Sequence, residues 1–425
     1  MSKPLVVQKF GGTSVGTAER ILKCARRTAD LVNAGHRAVV VVSAMGPATD
    51  ELIALARQVN PKPPERELDM LLATGEQVST ALFTMALEGL GVPAAGFTAH
   101  QVGIRTDGVF TKARITGIDA SRVKKALADG KACVVAGFQG VTEDLDVTTL
   151  GRGASNITAV ALAAVLGAER CEILTDVDGI YTADPRAVPA ARRLERISHE
   201  EIMELASMGA QVMQTRTVEL AKKHNVRLLV AASFGTGPGT LICQEEPEME
   251  DVVVSGLVLN DDEAKVTVQA VKDEPGMASV IFEELSLRHV NVDMIVQNVS
   301  GETGRTDVTF TVAKTDLDKA VDCARDLASR GIARGVVADE KIAKLSAVGL
   351  GMRTHAGVAA KMFKALAAEK INIQMISTSE IKISVVVPEA DGQRALKALH
   401  RAFGLDQAPG RSGGKAKADS KRMKA

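Results

Sequence analysis

The stretch Val134–Arg186, VVAGFQGVTEDLDVTTLGRGASNITAVALAAVLGAERCEILTDVDGIYTADPR, reads as one complete strand, loop, helix and strand with polar chemistry at both turns. Val134–Phe138 is an apolar run of strand length, and Ile157–Leu166 is apolar almost all round, as suits a helix covered on both sides. Between them lie the small residues Gly151-Arg152-Gly153-Ala154-Ser155-Asn156, just before a helix start. Such a loop turns backbone N–H groups and the positive helix end toward an anion, and Arg152 adds a full charge. The second strand, Cys171–Thr175, runs into Asp176-Val177-Asp178-Gly179-Ile180-Tyr181 and then Ala183-Asp184-Pro185-Arg186. Ligands of open α/β sheets gather where strands end, which makes this second turn a candidate nucleotide contact.

The same grammar recurs at the N-terminus. Leu5–Phe10 is a strand with Lys9 at its end, followed by Gly11-Gly12-Thr13-Ser14-Val15-Gly16 and a helical pattern over Ala18–Leu31. No G-x-x-x-x-G-K-[ST] occurs, and GRGASN lacks the third glycine of a dinucleotide loop. Taken together, KFGGTSVG, GRGASN and TDVDGIYTADPR resemble the aspartokinases of the amino acid kinase family, in that family's order. The resemblance runs from Val6 to about Leu405. It implies an α/β catalytic domain of the carbamate kinase-like, three-layer αβα type. It also implies phosphoryl transfer from Mg-ATP to the β-carboxylate of L-aspartate, with the magnesium carried by ATP and no metal ligand from a protein side chain.

The site residues follow from the resemblance. Lys9 neutralises charge on the transferring phosphoryl group. Gly11, Gly12, Ser14, Gly151, Arg152 and Ser155 hold phosphates or substrate, and Thr175, Asp176, Tyr181, Asp184 and Arg186 line the nucleotide side. Tyr181 is the only tyrosine and tryptophan is absent, so an aromatic ring stacked on adenine is this one or a phenylalanine. Ser43 and Thr49 contact the substrate, although a serine at a strand end also suits a helix cap. Glu76 sits in the helical segment Leu68–Leu90, after the three-proline loop Asn60–Glu65; a carboxylate among apolar neighbours needs a partner, and the family gives it the substrate ammonium. The segment Val102–Ile115 is expected near the substrate.

Composition narrows the field without choosing within it. With 425 residues, two or three domains are expected, and a 46% hydrophobic share suffices for real cores. Lysine plus arginine equals aspartate plus glutamate at 52 each, so no global field recruits nucleic acid or anionic membrane. The five cysteines are scattered and never in C-x-x-C spacing, which argues for free thiols in a reducing cytoplasm and against a zinc site. With no apolar stretch of membrane-spanning length, a soluble, cytoplasmic protein is expected.

The catalytic domain is expected over residues 1–245, with Ile197–Val218 as one or two helices and Arg227–Ala231 as a last buried strand. An acidic linker follows at Gln244–Asp251. Beyond it the chain repeats itself. Lys265–Val271, Gly276–Leu287 and Asn291–Ile295 are echoed by Lys344–Leu350, Gly357–Ala368 and Asn372–Ile376, each copy reading as βαββα. These copies resemble ACT domains, ferredoxin-like βαββαβ sensors of small molecules, over 265–340 and 341–406; QNVS at Gln297–Ser300 and GMRTHAGVA at Gly351–Ala359 carry the likeness. The first copy completes itself with Gly335–Asp339. The second lacks a strand, and the orphan Val252–Leu259, in the segment 246–264, is expected to supply it, which makes the first copy an insertion in the second. The lysine-rich tail over 407–425 is expected to be disordered. Lysine, threonine or both are the effectors implied, near Asp273, Gly276, Ala278, Asn291, Val292, Asp293, Gln297, Asn372 and Ile373, with Asp293 facing the effector ammonium. Asn291 and Asn372 alternatively terminate the helices before them. ACT sheets from two chains are expected to dock, giving a dimer or larger assembly.

Four positions depart from the family pattern. GRGGSD has become GRGASN, exchanging a glycine for Ala154 and the catalytic aspartate for Asn156; Leu145 replaces a glycine in T-E-D-G; and Gln211 replaces a lysine that faces ATP phosphates. Each lost charge-assisted hydrogen bond costs roughly 1.5 to 3 kcal/mol, on the order of 10- to 100-fold in rate if felt in the transition state. Two readings follow, a working feedback-regulated kinase of reduced turnover and a catalytically weak paralogue that serves as an effector-binding regulatory subunit.

Overall fold

The computed structural model describes residues 3–151, 153–208, 213–246, 249, 252–297 and 304–407. It divides into two compact units: Met1–Ile180 with Arg193–Ser207 and Gln211–Glu246, and Tyr181–Arg192 with Met208–Ala210 and Pro247–Ala425.

In the first unit, β1 (Leu5–Phe10), α1 (Ala18–Asn33), β2 (Arg37–Val42), α2 (Ala48–Val59), α3 (Glu65–Gly89), β3 (Ala94–Phe97), α4 (Ala99–Val102), β4 (Ile104–Thr106), β5 (Ile115–Ile118), α5 (Ser121–Ala128) and β6 (Ala132–Ala136) come first. They are followed by β7 (Gln139–Val141), β8 (Val147–Thr149), α6 (Ser155–Leu166), β9 (Arg170–Thr175), β10 (Arg196–Ser198), α7 (His199–Ser207), α8 (Thr215–Lys223), β11 (Leu228–Ala232) and β12 (Thr240–Cys243). The main sheet has the order β10-β12-β11-β9-β1-β2-β6-β3. From β11 to β3 its strands are parallel, and only the β11–β12 pairing is antiparallel. Strands covered on both faces read as continuous apolar runs, as β2 does from Ala38 to Val42; β1 is buried throughout but carries Gln8 and Lys9. Phe10, Val40, Val42, Val134 and Leu174 build one core with residues of α1 and α3, where the Phe10 and Phe83 rings lie 5.3 Å apart. Helix α6 lies against β1, β2 and β9, completing the three-layer sandwich.

A second, four-stranded sheet has the order β5-β4-β7-β8; the segment Val102–Ile115, expected near the substrate, contributes β4 and the start of β5 to it. Asp69 of α3, fully buried, joins it to the main body by accepting from Thr111 N–H (2.8 Å), Thr149 N–H (2.8 Å) and Thr149 Oγ1 (2.7 Å). A buried carboxylate is tolerable only when so satisfied.

The second unit holds two antiparallel sheets. Elements β13 (Gly256–Asn260), β14 (Glu263–Lys272), α9 (Met277–Leu287), β15 (Val292–Gln297), β16 (Arg305–Ala313), α10 (Leu317–Ser329), β17 (Gly335–Asp339), β18 (Ile342–Val348), α11 (Val358–Ala368), β19 (Met375–Thr378), β20 (Lys382–Pro388) and α12 (Gly392–Phe403) form the orders β15-β16-β14-β17 and β13-β18-β20-β19. Strand β13, upstream of the whole first module, pairs with β18 from Gly256↔Val348 to Asn260↔Lys344 and so fills the fourth place in the second sheet. The helix ends differ from the asparagine-capped alternative. His289 and Lys370, two residues before Asn291 and Asn372, take the left-handed conformation (φ 55° and 57°). Part of the acidic run 244–251, Asn298–Ser300 of QNVS and the basic tail from 408 lie outside the described residues.

Candidate functional site

The site begins at the carboxyl end of β1. Lys9 stands in register with Val41 of β2 and Ile173 of β9 and is 8% exposed. Burial pushes its ammonium down to about 8, against the opposing influence of Cys171 and Glu76. A Cβ on Gly11 would lie 3.7 Å from Lys9 Nζ and 3.9 Å from Ser14 Oγ, so the ammonium stands over the turn that follows its strand. Ser14 Oγ lies 2.5 Å from Ser233 Oγ, a partner on the loop after β11 that the sequence reading missed. Gly12 meets the loop after β2: Gly46 N–H donates to Gly12 O (3.0 Å), and a Cβ on Gly12 would come within 2.9 Å of Ala44 O. Only glycine permits that approach. Ser43 follows β2 and donates its N–H to Phe10 O (3.3 Å), while Thr49 lies in the first turn of α2; both are half-buried.

Glu76, in the middle of α3, is 3% exposed. Its Oε1 accepts from Ala44 N–H (3.0 Å), whereas its Oε2 is buried and has no partner among the described residues. Burial lifts this carboxyl to about 7, outweighing the Ala44 bond and the Lys9 charge. A carboxylate with one satisfied oxygen and one waiting is poised for a cation.

The second glycine turn follows β8 and leads into α6. Gly151 and Gly153 are left-handed (φ 91° and 74°), and α6 starts at Ser155. Arg152 lies outside the described residues, as does Gln211. Asp69 fixes Thr149, and Arg216 of α8 donates to Leu150 O (3.3 Å) and Ala113 O (3.2 Å), so the residues leading into the turn are pinned on both sides. A Cβ on Gly137 would sit 2.7 Å from Ser155 Cβ and 3.0 Å from Val41 Cγ1, and Val41 is the β2 partner of Lys9. Lys9 and the start of α6 therefore share one face of the sheet at the strand ends. Ser155 is buried; Asn156, in the same first turn, has a buried Oδ1 without a partner among the described residues.

Thr175 ends β9 one strand away, its O accepting from Ser233 N–H (2.7 Å) and its Oγ1 donating to Asp176 Oδ1 (2.9 Å). The sequence groups Tyr181, Asp184 and Arg186 with these two, but from Tyr181 to Arg192 the chain belongs to the second unit. There Asp184 and Arg186 engage each other (2.8 Å), which holds the Asp184 carboxyl below its usual range. Among the described residues no cluster of histidine, cysteine or acidic side chains has metal-holding geometry, and no helix is long and apolar enough to cross a membrane. All five cysteines are unpaired and buried.

Of the expected effector residues, Gly276 (φ 95°) caps the N-terminus of α9; Asp273, Ala278, Asn291, Gln297 and Asn372 are exposed, and Val292 and Ile373 are half-buried. Asp293 is not waiting for a ligand. It pairs with Lys344 of β18, which is 3% exposed and also holds Glu263. The arrangement is reciprocal: Lys265, the repeat equivalent of Lys344, donates to Gln374, the equivalent of Asp293. Met294 and Met375, likewise equivalent, share one apolar cluster at this junction of modules.

A buried lysine at a strand end, two glycine turns on one sheet face and a half-satisfied buried carboxylate suit a small-molecule kinase. The chain belongs to the amino acid kinase family, whose profile matches residues 4–232, and it carries ACT domains matched over residues 266–326 and 345–403. It is 54% identical over 410 residues to the aspartate kinase of Pseudomonas putida, covering 96% of this chain and 99% of that one. The aspartokinase of Pseudomonas aeruginosa is 54% identical over 411 residues, with 96% and 99% covered. Aspartokinase III of E. coli, solved with aspartate and ADP in an R-state and with lysine and aspartate in a T-state, superposes with a TM-score of 0.74 at 27% identity, covering 94% of this chain and 99% of that one.

Proposed function

We propose that this chain is an aspartate kinase, transferring the γ-phosphoryl group of ATP to the β-carboxylate of L-aspartate under feedback control through its ACT domains. The single observation that carries the reading is Glu76, a buried carboxylate with one oxygen unpartnered among the described residues, beside the Lys9-bearing strand end. An amino acid substrate brings the ammonium that Glu76 lacks. Its β-carboxylate is ionised at neutral pH and needs no general base, so an oxygen of that carboxylate attacks the γ-phosphorus as the bond to the ADP oxygen breaks. Positioning and charge neutralisation then do most of the catalysis. Lys9 stabilises the equatorial phosphoryl oxygens, while the start of α6, with Gly151, Arg152, Gly153 and Ser155, offers an anion-binding helix end. Gly11, Gly12 and Ser14 hold the phosphates from the other side, Ser43 and Thr49 flank the aspartate, and Thr175 and Asp176 border the nucleotide. These residues suit Mg-ATP, the magnesium riding on the phosphates.

Lysine, threonine or both are the effectors proposed at the module junction. A dimer or larger assembly through the ACT sheets is proposed as well, and a monomer on size-exclusion chromatography with and without effector would count against it. Trapping the acyl phosphate with hydroxylamine, using the purified chain with ATP and aspartate, tests the activity. Asn156 supports the reading of reduced turnover: its Oδ1 lies buried and without a partner among the described residues where the family pattern has an aspartate. Asn156→Asp is expected to raise kcat by about 10-fold or more, the worth of one charge-assisted hydrogen bond. No hydroxamate from the wild type, with activity appearing only in Asn156→Asp with Gln211→Lys, would instead identify an effector-binding regulatory subunit.

A further inference from the structure

Within the first unit, two hydroxyls meet at the carboxyl end of β9, brought there from the strands on either side of it. From β1, the first glycine turn is anchored by Gly11 N–H, which donates to Leu174 O (3.1 Å), and Ser14 closes it with its own N–H on Gly11 O (2.9 Å). From β11, which pairs with β9 as far as Ala232↔Thr175, the chain continues into Ser233, whose N–H donates to Thr175 O (2.7 Å). Helix α1 braces both: the Cys24 thiol donates to Ser14 O (3.3 Å), and Arg27 donates to Ala232 O (2.8 Å) and Gly235 O (3.4 Å). Both serines are therefore fixed through the main chain around them. They are 2% and 4% exposed, and their Oγ atoms lie 2.5 Å apart.

Each hydroxyl carries one proton, and the contact between them uses only one. Neither side chain has another partner among the described residues, so one proton of the pair is left to donate. A buried donor without an acceptor is unfavourable, and an arriving oxyanion relieves it. The position of a Cβ on Gly11 lies 3.7 Å from Lys9 Nζ and 3.9 Å from Ser14 Oγ, so Ser14 is the member of the pair that borders the turn beneath the ammonium. An anion drawn to Lys9 meets the spare proton on Ser14 when Ser233 donates and Ser14 accepts. We infer that Ser233 is a positioning residue for the phosphates of the nucleotide: by donating to Ser14 Oγ it turns the Ser14 proton toward a phosphate oxygen. The loop after β11 thus sets the direction of a donor that belongs to the turn after β1. This inference rests on the assignment of Ser14 to the phosphates.

A double-mutant cycle on the full-length chain provides the test, with Ser14→Ala, Ser233→Ala and the two together, read as kcat/KM for ATP and as the KM for aspartate. Alanine removes only the hydroxyl and leaves the Ser233 N–H on Thr175 O. Ser14→Ala, which loses a hydrogen bond to a charged phosphate, is expected to lower kcat/KM for ATP about 10-fold or more. Ser233→Ala is expected to lower it about three- to tenfold, with the KM for aspartate within about twofold of the wild type. In the Ser14→Ala background the Ser233 substitution is expected to change neither value by more than about twofold, because it acts only through Ser14. An effect of Ser233→Ala that is equal in both backgrounds, as a loosened loop would give, an equal loss toward aspartate, or no effect on the wild type would overturn the inference. If the wild type forms no aspartyl phosphate, the functional reading fails separately; the same cycle is then read from ATP binding by calorimetry, where the same non-additive loss is expected and additive or unchanged affinities would overturn it.

Discussion

Replacing Glu76 with glutamine should remove a pH-dependent loss of stability and impair function at once. Burial raises this carboxyl from 4.5 to about 7, and at 1.36 kcal/mol per pH unit that corresponds to roughly 3 kcal/mol spent on holding an ionised group with one oxygen unsatisfied. The folded state keeps its proton up to about 7, whereas the unfolded chain gives it up near 4.5, so wild-type stability is lost as pH rises through that window. Glutamine has no proton to lose. Its oxygen can keep the Ala44 bond, and its unpaired buried NH₂ costs about 1 to 3 kcal/mol at every pH. That offset cancels in the pH dependence, so relative to Glu76→Gln the wild type should lose roughly 3 kcal/mol between pH 4.5 and 8, read from urea melts followed by circular dichroism. In the same variant the KM for aspartate should rise about 10- to 100-fold, the value of a charge-assisted hydrogen bond to the ammonium. Parallel stability curves for the two proteins would refute the electrostatic argument. An unchanged KM for aspartate would refute the role.

The same two groups set the pH profile. kcat/KM for aspartate should rise as Glu76 ionises near 7 and fall as Lys9 loses its proton near 8, a narrow bell whose alkaline limb moves upward when saturating ATP supplies phosphate charge. A flat profile from pH 6 to 9 would exclude both assignments. Leu145, left-handed at φ 68° and 62% exposed, carries strain of about 1 to 2 kcal/mol that glycine relieves at some entropic cost. Leu145→Gly should therefore gain about 1 kcal/mol in denaturant midpoint analysis without a change in kinetics. Gly137→Ala places a Cβ 2.7 Å from Ser155 Cβ and should displace the start of α6, costing about 1 to 3 kcal/mol in stability and lowering kcat; unaltered kcat would mean that the Ser155 position does not matter.

The parts of this molecule legible in its sequence were those with local signatures. Lys9 before a glycine pair, the small residues ahead of α6, and the doubled pattern of Lys265–Ile295 and Lys344–Ile376 each lie within a few residues of their partners in the motif. The missing strand of the second module was legible for a different reason: one copy was short by one element, and Val252–Leu259 had nowhere else to go. What escaped reading depends on distant pairings. The strands β4, β7 and β8 have three residues each, too few for a periodicity, and Asp69 looks like an ordinary helix acid until Thr149, 80 residues away, meets it. Likewise TADPRAVPAAR carries loop composition, and nothing in it announces that Ala183 and Val188 complete the core of a different unit.

Set beside each other, Glu76 and Asp293 use the same chemistry under opposite conditions. Glu76 holds an oxygen for which the described residues supply no partner, so an arriving ammonium would relieve a cost the fold already bears. Asp293 already holds the Lys344 ammonium, and Lys344 is itself buried and shared with Glu263. Pairing an effector's ammonium with Asp293 must compete with that lysine, and because the Asp293 side chain is half exposed the exchange is screened by solvent, at a cost of about 1 kcal/mol or less. Glu263 lessens that cost by remaining with Lys344. Effector affinity must then come from elsewhere, for which the glycine-capped N-terminus of α9 is placed to receive the carboxylate. The Asp293–Lys344 pair also joins the first ACT module to the second, so an effector that engaged Asp293 would not leave the junction as it was. On that reasoning Lys344→Met, which removes the competitor, should tighten effector binding in calorimetry while weakening the difference that binding makes to activity.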